Sequence, residues 1–226
     1  AFLKITDKKG KTLKAAKIAD SSKTQVGDKV VAIGNALGQF QNTVTSGIIS
    51  GFGRSVEAGD ESGGSSETLQ NLFQTDTAIN AGNSDGPLVN TSSEVIGINT
   101  AVAGNAENIG FAIPINDLQG LIKSVLKEGK LLRPYLGVRY INLTDDIAYQ
   151  YNLDAKRGAY LAPAQGQSTI VDDSPAAKAG LKEKDIIIKI DGVSIDENNS
   201  LTSVLGRHSV GDKVSLTIVR DSKTQT

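Results

Sequence analysis

Cysteine is absent from the 226 residues, as are methionine and tryptophan, and there is a single histidine, His208. Without cysteine there is no disulfide frame and no thiol chemistry, and the redox compartment is left open. A Ser–His pair needs a histidine, and a zinc site of the usual type wants one or more. No metal and no cofactor is expected. Charge of one sign is also missing: 24 Lys and Arg face 25 Asp and Glu, a net charge of −1. Nothing here predicts an electrostatic grip on nucleic acid or on an anionic membrane. No apolar run approaches the roughly 18 residues of a membrane span. The chain opens at Ala1 with no Met and no signal-peptide pattern, and so reads as a processed or truncated piece.

What is present is a series of short β-type runs: Phe2 to Thr6, Lys29 to Ile33, Thr43 to Phe52, Val95 to Ala101 and Ile109 to Ile113. Glycine and Asn/Asp clusters punctuate them closely, which favours an antiparallel barrel or sandwich over βαβ units. Gly59 to Glu67 (GDESGGSSE) is acidic, Gly/Ser-rich and without an apolar residue, and predicts a mobile surface loop. Pro114 to Gly129 carries Leu118, Leu121, Ile122, Val125 and Leu126 at helical spacing, with Asn116 or Asp117 as start cap and Gly129 as stop. This helix closes a first domain at residues 1–129. A second domain, 130–226, has its own strands at Gly137 to Ile141, Ala159 to Ala162, Ile186 to Ile190 and Lys213 to Arg220. It also has a helical turn at Ser174 to Ala179. VGDKV occurs twice, at Val26 and at Val210, and reads as one turn-then-strand device used twice.

Ser84 is the residue that asks for a role. It sits in TDTAINAGNSDGPLVN, Thr75 to Asn90, between Gly82-Asn83 and Asp85-Gly86-Pro87. Alone, such a serine is a turn residue making a local hydrogen bond. The wider pattern reverses that reading. Thr75-Asp76, Ala78-Ile79-Asn80, Gly82-Asn83-Ser84, Gly86-Pro87-Leu88 and Gly97-Ile98-Asn99-Thr100 follow VGDKVVAIGNALGQFQNTVTSGIISGFGRS, Val26 to Ser55. Together these closely resemble the HtrA/Deg family of trypsin-like serine proteases, over nearly the whole chain.

The resemblance implies a mostly β protein. It would hold a partial chymotrypsin-like double β-barrel, the second barrel complete and the first mostly missing. Ser84 would be the nucleophile, with the N–H groups of Gly82 and Ser84 as oxyanion hole. Ala78, at the pocket base, with Ile79 beside it and Ile98 on another wall, would form a pocket without counter-charge for Lys or Arg. All three are equally readable as barrel core. One position departs from the pattern: the family has GNSGGP where this chain has GNSDGP, placing Asp85 after the nucleophile.

His208 follows the serine and belongs to the second domain, whereas proteases of this fold take His and Asp from ahead of it. It reads as an exposed or partly buried residue on a short helix end. The family's aspartate precedes an Ala-apolar-apolar-Lys strand by two positions, so both partners are expected upstream of Ala1. Val219 to Lys223 starts a hairpin, and the C-terminus also reads as cut.

Tyr135-Leu136-Gly137-Val138, Ser174-Pro175-Ala176, Ala179-Gly180-Leu181, Asp185-Ile186-Ile187 and Ile190-Asp191-Gly192 resemble a PDZ domain of the bacterial protease type. Amides of Leu136, Gly137 and Val138 would meet a peptide's terminal carboxylate, and the peptide would add as a strand. Gly137 would be there so that no side chain blocks that approach.

The resemblance implies an endopeptidase for unfolded or damaged protein, with peptide C-termini as PDZ partners and no nucleic acid. It also implies a homotrimer or larger assembly and a bacterial cell-envelope location, periplasmic or anchored facing outward. The competing class is a non-catalytic chaperone or peptide-binding module.

Overall fold

The computed structural model describes residues 2–36, 40–58, 67–80, 82–102, 108–163 and 168–226, with backbone alone at 36, 40–42, 57–58, 67–68 and 101–102. The acidic Gly/Ser-rich stretch lies outside the described residues except for Glu67, which begins a strand.

Seven strands share the first sheet: β1 Lys17–Ile18, β2 Lys29–Ala36, β3 Phe40–Ala58, β4 Glu67–Thr75, β5 Pro87–Asn90, β6 Glu94–Val102 and β7 Gly110–Pro114. Their order is β1-β6-β5-β2-β3-β4-β7, and β6 also pairs β7. That last pairing turns β6-β5-β2-β3-β4-β7 into a closed antiparallel ring, and closure removes the edges that an open sheet leaves exposed. Period-two alternation puts Val30 and Ala32 of β2 inside, with Ile49, Phe73, Ile79, Leu88, Ile96 and Ala112 around them. Phe52 meets Phe73 edge to face at 5.3 Å. Each such aliphatic side chain contributes about 1.5–3 kcal/mol when fully buried. Phe2 to Thr6, expected as a strand, forms none: these residues are exposed and unassigned. Apolar β-formers make a strand only when another strand accepts their hydrogen bonds.

The expected helix forms as α1, Gln119–Glu128, preceded by a 3₁₀ turn at Ile115–Leu118 and stopped by Gly129 at φ 65°. Its expected caps are engaged elsewhere. Asn116 Oδ1 accepts from Ser21 N at 3.2 Å and its Nδ2 donates to Asp20 at 2.7 Å. Asp117 accepts from Asn71 Nδ2 at 2.8 Å and from Ser203 Oγ at 2.6 Å. Leu126, expected on the apolar face, is 82% exposed.

Further along lie β8 Ile141–Asn142, α2 Asp145–Gln150, β9 Ala159–Tyr160 and α3 Pro175–Lys178. They are followed by β10 Ile186–Ile190, β11 Val193–Ser194, α4 Leu201–Gly206, β12 Leu216–Arg220 and β13 Lys223–Gln225. The second sheet runs β13-β12-β10-β9-β8, with β11 on β10. The core is aliphatic, with Ile187, Ile190, Leu161 and Leu201 almost wholly buried. Asp185 is fully buried beneath it and takes a two-pronged bond from Arg220, Nε at 2.7 Å and Nη2 at 2.6 Å.

The repeated VGDKV is the same turn twice. Gln25 N and Ser209 N donate to Asp28 and Asp212 carboxylates at 2.8 and 2.7 Å, and Gly27 and Gly211 both sit at φ 94°.

The chain divides into two compact units, Ala1–Thr68 with Leu72–Asn116, and Leu69–Asn71 with Asp117–Thr226. Within the second, Asp117 is 10% exposed, with Arg207 Nε 3.8 Å away. Burial pushes its carboxyl above the usual carboxylate range, against the pull of Ser203, Asn71 and Arg207. A raised pKa means that the folded state holds a proton the unfolded chain has lost. Stability from this group is therefore greatest below the unfolded pKa of about 4 and falls as pH rises through the folded value. All 5 tyrosines lie at 135–160 and there is no tryptophan, so tyrosine fluorescence reports the second unit. In urea unfolding followed that way, the midpoint should fall between pH 4 and 7, and Asp117→Asn should flatten the fall. Equal slopes in the two proteins would contradict it. Asp20, held at about 2 by Ser22 and Asn116, titrates below this window.

Candidate active site and peptide groove

The loop between Ala78 and Pro87 carries Ser84 at its surface and is anchored inward by Ile79 and Asn83. Ser84 is exposed while Asn83 beside it is 1% exposed. A turn closes from Asn83 N to Asn80 O at 3.1 Å, and its third residue, Gly82, has φ 100°. Glycine takes a positive φ without strain. Asn83 braces the turn from within. Its Oδ1 accepts from Asn80 N at 2.8 Å and its Nδ2 donates to Ala78 O at 2.9 Å. Thr45 Oγ1 donates to the same Ala78 carbonyl at 2.9 Å. Asn99 of β6, fully buried, holds the other side, with Nδ2 on Asn83 O at 3.1 Å. Gly86 is packed so tightly that a Cβ there would collide with Ile33 O.

Ser84 Oγ donates to Thr100 O at 2.8 Å. Ser84 N reaches Asn80 O at 3.4 Å, the outer limit of a hydrogen bond, so this donor is weakly held. Ala78 is exposed, Ile98 is half-buried and pairs with Pro87 and Ile113, and Ile79 is core, its Cγ1 2.5 Å from where a Cβ on Gly110 would be. His208 is in the second unit just past α4, its Nε2 3.8 Å from Asp191 and its side chain 22% exposed. Asp85 sits at φ 65°, a conformation Asp tolerates at a cost and Gly does not resist.

The Tyr135–Val138 segment leads into the second sheet. Val171 N donates to Gly137 O at 2.9 Å, Arg139 N donates to Thr169 O at 2.8 Å, and Val138 bridges Ile170 between them. In that antiparallel pattern the bridge residue's own N–H and C=O point to the opposite edge. Val138 thus presents both groups on the side where a strand could add. Gly137 is at φ 85°, and Ser174, the N-cap of α3, fills the space a Cβ would need. Leu136 lines a groove of about 570 Å³ with Pro175, Leu181, Val214, Leu216 and Ile218. Val138, Tyr140 and Leu205 pack on the core, and Tyr140 Oη lies 2.7 Å from Thr202 Oγ1 of α4.

The roles of Asn83, Asn99 and Thr100 were missed from sequence. The signal in it was a polar residue recurring inside apolar strand (GINT) and turn (GNS).

A closed antiparallel barrel with a braced, exposed serine, followed by a sheet-and-helix peptide module, defines the class of trypsin-like peptidase with a PDZ domain. A trypsin-like peptidase domain model matches residues 1–98 and a PDZ domain model matches residues 134–226. The chain is 41% identical over 231 residues to the serine protease Do-like HtrB of Bacillus subtilis, covering 100% of this chain and 49% of that protein. It is 42% identical over 216 residues to the periplasmic serine endoprotease DegP of Escherichia coli K12, covering 94% and 43%. A solved structure of the HtrA-type protease AlgW with tripeptide aligns at a TM-score of 0.60 and 32% identity, over 93% of this chain and 66% of that one. The chain belongs to the HtrA/Deg family. It spans about half the length, or less, of these curated relatives.

Replacing Asp85 by Gly relieves the left-handed strain. Asp85→Gly should leave the fold intact and raise stability by up to about 1 kcal/mol, read from urea unfolding followed by circular dichroism. A loss of more than about 1 kcal/mol would show that the Asp85 side chain itself holds the loop.

Proposed function

We propose that the protein to which this chain belongs is a serine endopeptidase that degrades unfolded or damaged protein through an acyl-enzyme at Ser84. The observation that carries this is an exposed serine on a turn whose neighbouring peptides are held by buried asparagine amides. Gly82 N–H and Ser84 N–H are the oxyanion donors: the first belongs to the turn with positive φ, and the second has only a long bond to exchange for the substrate oxygen. Ala78, Ile79 and Ile98 wall the pocket for the residue before the cleaved bond. A Lys or Arg buried there meets no carboxylate among them, and an unpaired buried charge is strongly disfavoured.

The base is not among these 226 residues. The only histidine pairs toward Asp191, and Ser84 Oγ donates its hydrogen bond to the Thr100 carbonyl. The histidine and aspartate belong to the first barrel of a chymotrypsin-like pair, to which the described barrel is the second. The proposed domain boundary is 129/130, within the interval that the two matched segments leave open, whereas the compact units divide at Asn116/Asp117. Leu136, Gly137 and Val138 take the C-terminus of a peptide laid as a strand against Val138. The assembly is a homotrimer or larger, in the bacterial cell envelope, as the periplasmic relatives suggest.

A second reading, a peptide-binding module or chaperone without chemistry, is favoured by the Ser84–Thr100 bond, which leaves the hydroxyl with no base. The two separate on activity. The purified 226-residue chain should hydrolyse a reduced, unfolded protein no faster than its Ser84→Ala variant, because general-base assistance is worth roughly 10²–10⁴-fold. The full-length gene product should cut, chiefly after Val, Ala or Ile. Ser84-dependent turnover by the chain alone would overturn the missing base. A dominant Lys or Arg preference would overturn the pocket.

A further inference from the structure

We infer that Asn99 is a positioning residue for the reaction at Ser84, setting the plane of the peptide that carries one oxyanion donor. The inference rests on the proteolytic reading above. Asn99 does not touch Ser84, yet it bonds to residues on both sides of it. Its main-chain N–H donates to Gly86 O at 2.9 Å and its C=O accepts from Asp85 N at 2.8 Å. Its side-chain Nδ2 donates to Asn83 O at 3.1 Å and reaches Pro87 O at 3.4 Å.

The Asn83 carbonyl and the Ser84 N–H belong to one planar trans peptide, so they point in opposite directions. Whatever holds the carbonyl also aims the N–H. Asn83 O accepts from Asn99 Nδ2 and from Gly86 N, both at 3.1 Å. Turning this peptide over would strip Asn99 of its best acceptor in a site closed to bulk solvent: the residue is 0% exposed. The amide's orientation is fixed by its neighbours, since exchanging N and O would set Oδ1 against two carbonyl oxygens. Oδ1 has no partner among the described residues, so the side chain is held through its donor. A residue kept for packing alone, at the same size, would be leucine. A buried amide with half its capacity unused is explained by the carbonyl it fixes.

Asn99→Asp keeps the shape and replaces the donor by an acceptor facing two carbonyls. In the 226-residue chain, amide NMR at pH 7 should show the Ser84, Asp85 and Gly86 resonances displaced. Exchange at Asp85 and Gly86 should be at least tenfold faster, with the Ile49 and Phe111 amides unmoved. In the full-length gene product, kcat should fall at least tenfold with KM within about twofold. The gap to wild type at matched pH should narrow from pH 7 toward 5, as the buried acid regains a proton and donates again. Asn99→Ala should lose kcat without that recovery. Unmoved amides would overturn the brace. Displaced amides with unchanged kcat would make Asn99 structural only. If the wild type itself shows no Ser84-dependent turnover, the proteolytic reading falls and the amide measurement alone decides the brace. Should Asn99→Asp not fold, the wild-type chain still answers. Its Asn99 side-chain protons should exchange slowly and show coupling across the hydrogen bond to the Asn83 carbonyl carbon, and free exchange would contradict the inference.

Discussion

The loop that exposes Ser84 is held by two buried asparagine side chains, which bind the main-chain N–H of Asn80 and the carbonyls of Ala78 and Asn83. Asn83 works from inside the turn and Asn99 from the neighbouring strand. Both are almost wholly buried, where an unmade hydrogen bond costs about 1–3 kcal/mol. Thr45 adds a second hold on Ala78 O, and the tight fit of Gly86 under Ile33 O leaves the loop little room. Ser84 is thus presented by polar groups that stay dry. The closed barrel supports this, since β6 pairs with β5 on one side and β7 on the other.

The same physics recurs in the second unit with different residues. Asp185 is a buried carboxylate answered by Arg220 and by Lys182 N. Asp117 is a buried carboxylate answered by two neutral donors and, at 3.8 Å, by Arg207. The first carries a matched charge in contact, whereas the second sits where its charge is disfavoured. Ser174 caps α3 and at the same time occupies the space that makes Gly137 necessary, so the helix start and the Tyr135–Val138 segment are fixed against each other.

Much of this was legible before any coordinates. β2, β3, β6 and β7 announce themselves as short β-type runs punctuated by glycine and Asn/Asp, and Gly129 stops its helix as its chemistry requires. The doubled VGDKV folds into one turn twice, because its Asp side chain and its Gly φ are local demands that tertiary context does not change. What escaped depended on partners distant in sequence. β4 is interrupted by Asn71 at φ 58°, which breaks the alternation; β5 is four residues long and opens on Pro87. Phe2 to Thr6 has the composition of a strand but not a strand's hydrogen bonds. Asn116 and Asp117 had the chemistry of caps, but long-range acceptors and donors competed for them and won. The serine motif was readable by resemblance, whereas the asparagines that hold it were in plain view without a role. A side chain's hydrogen-bond partner across the barrel cannot be read from its neighbours in sequence.

The central claim is that this loop exists to present Ser84 for attack on a peptide carbonyl. The most direct measurement compares the full-length gene product with its Ser84→Ala variant on an unfolded protein, following new amino termini. The account predicts steady cleavage by the wild type and a loss of at least about 10³-fold in the variant, of the order seen when a triad nucleophile is removed, with the same fold by circular dichroism. Equal cleavage by the two proteins, or none by the wild type, would contradict it.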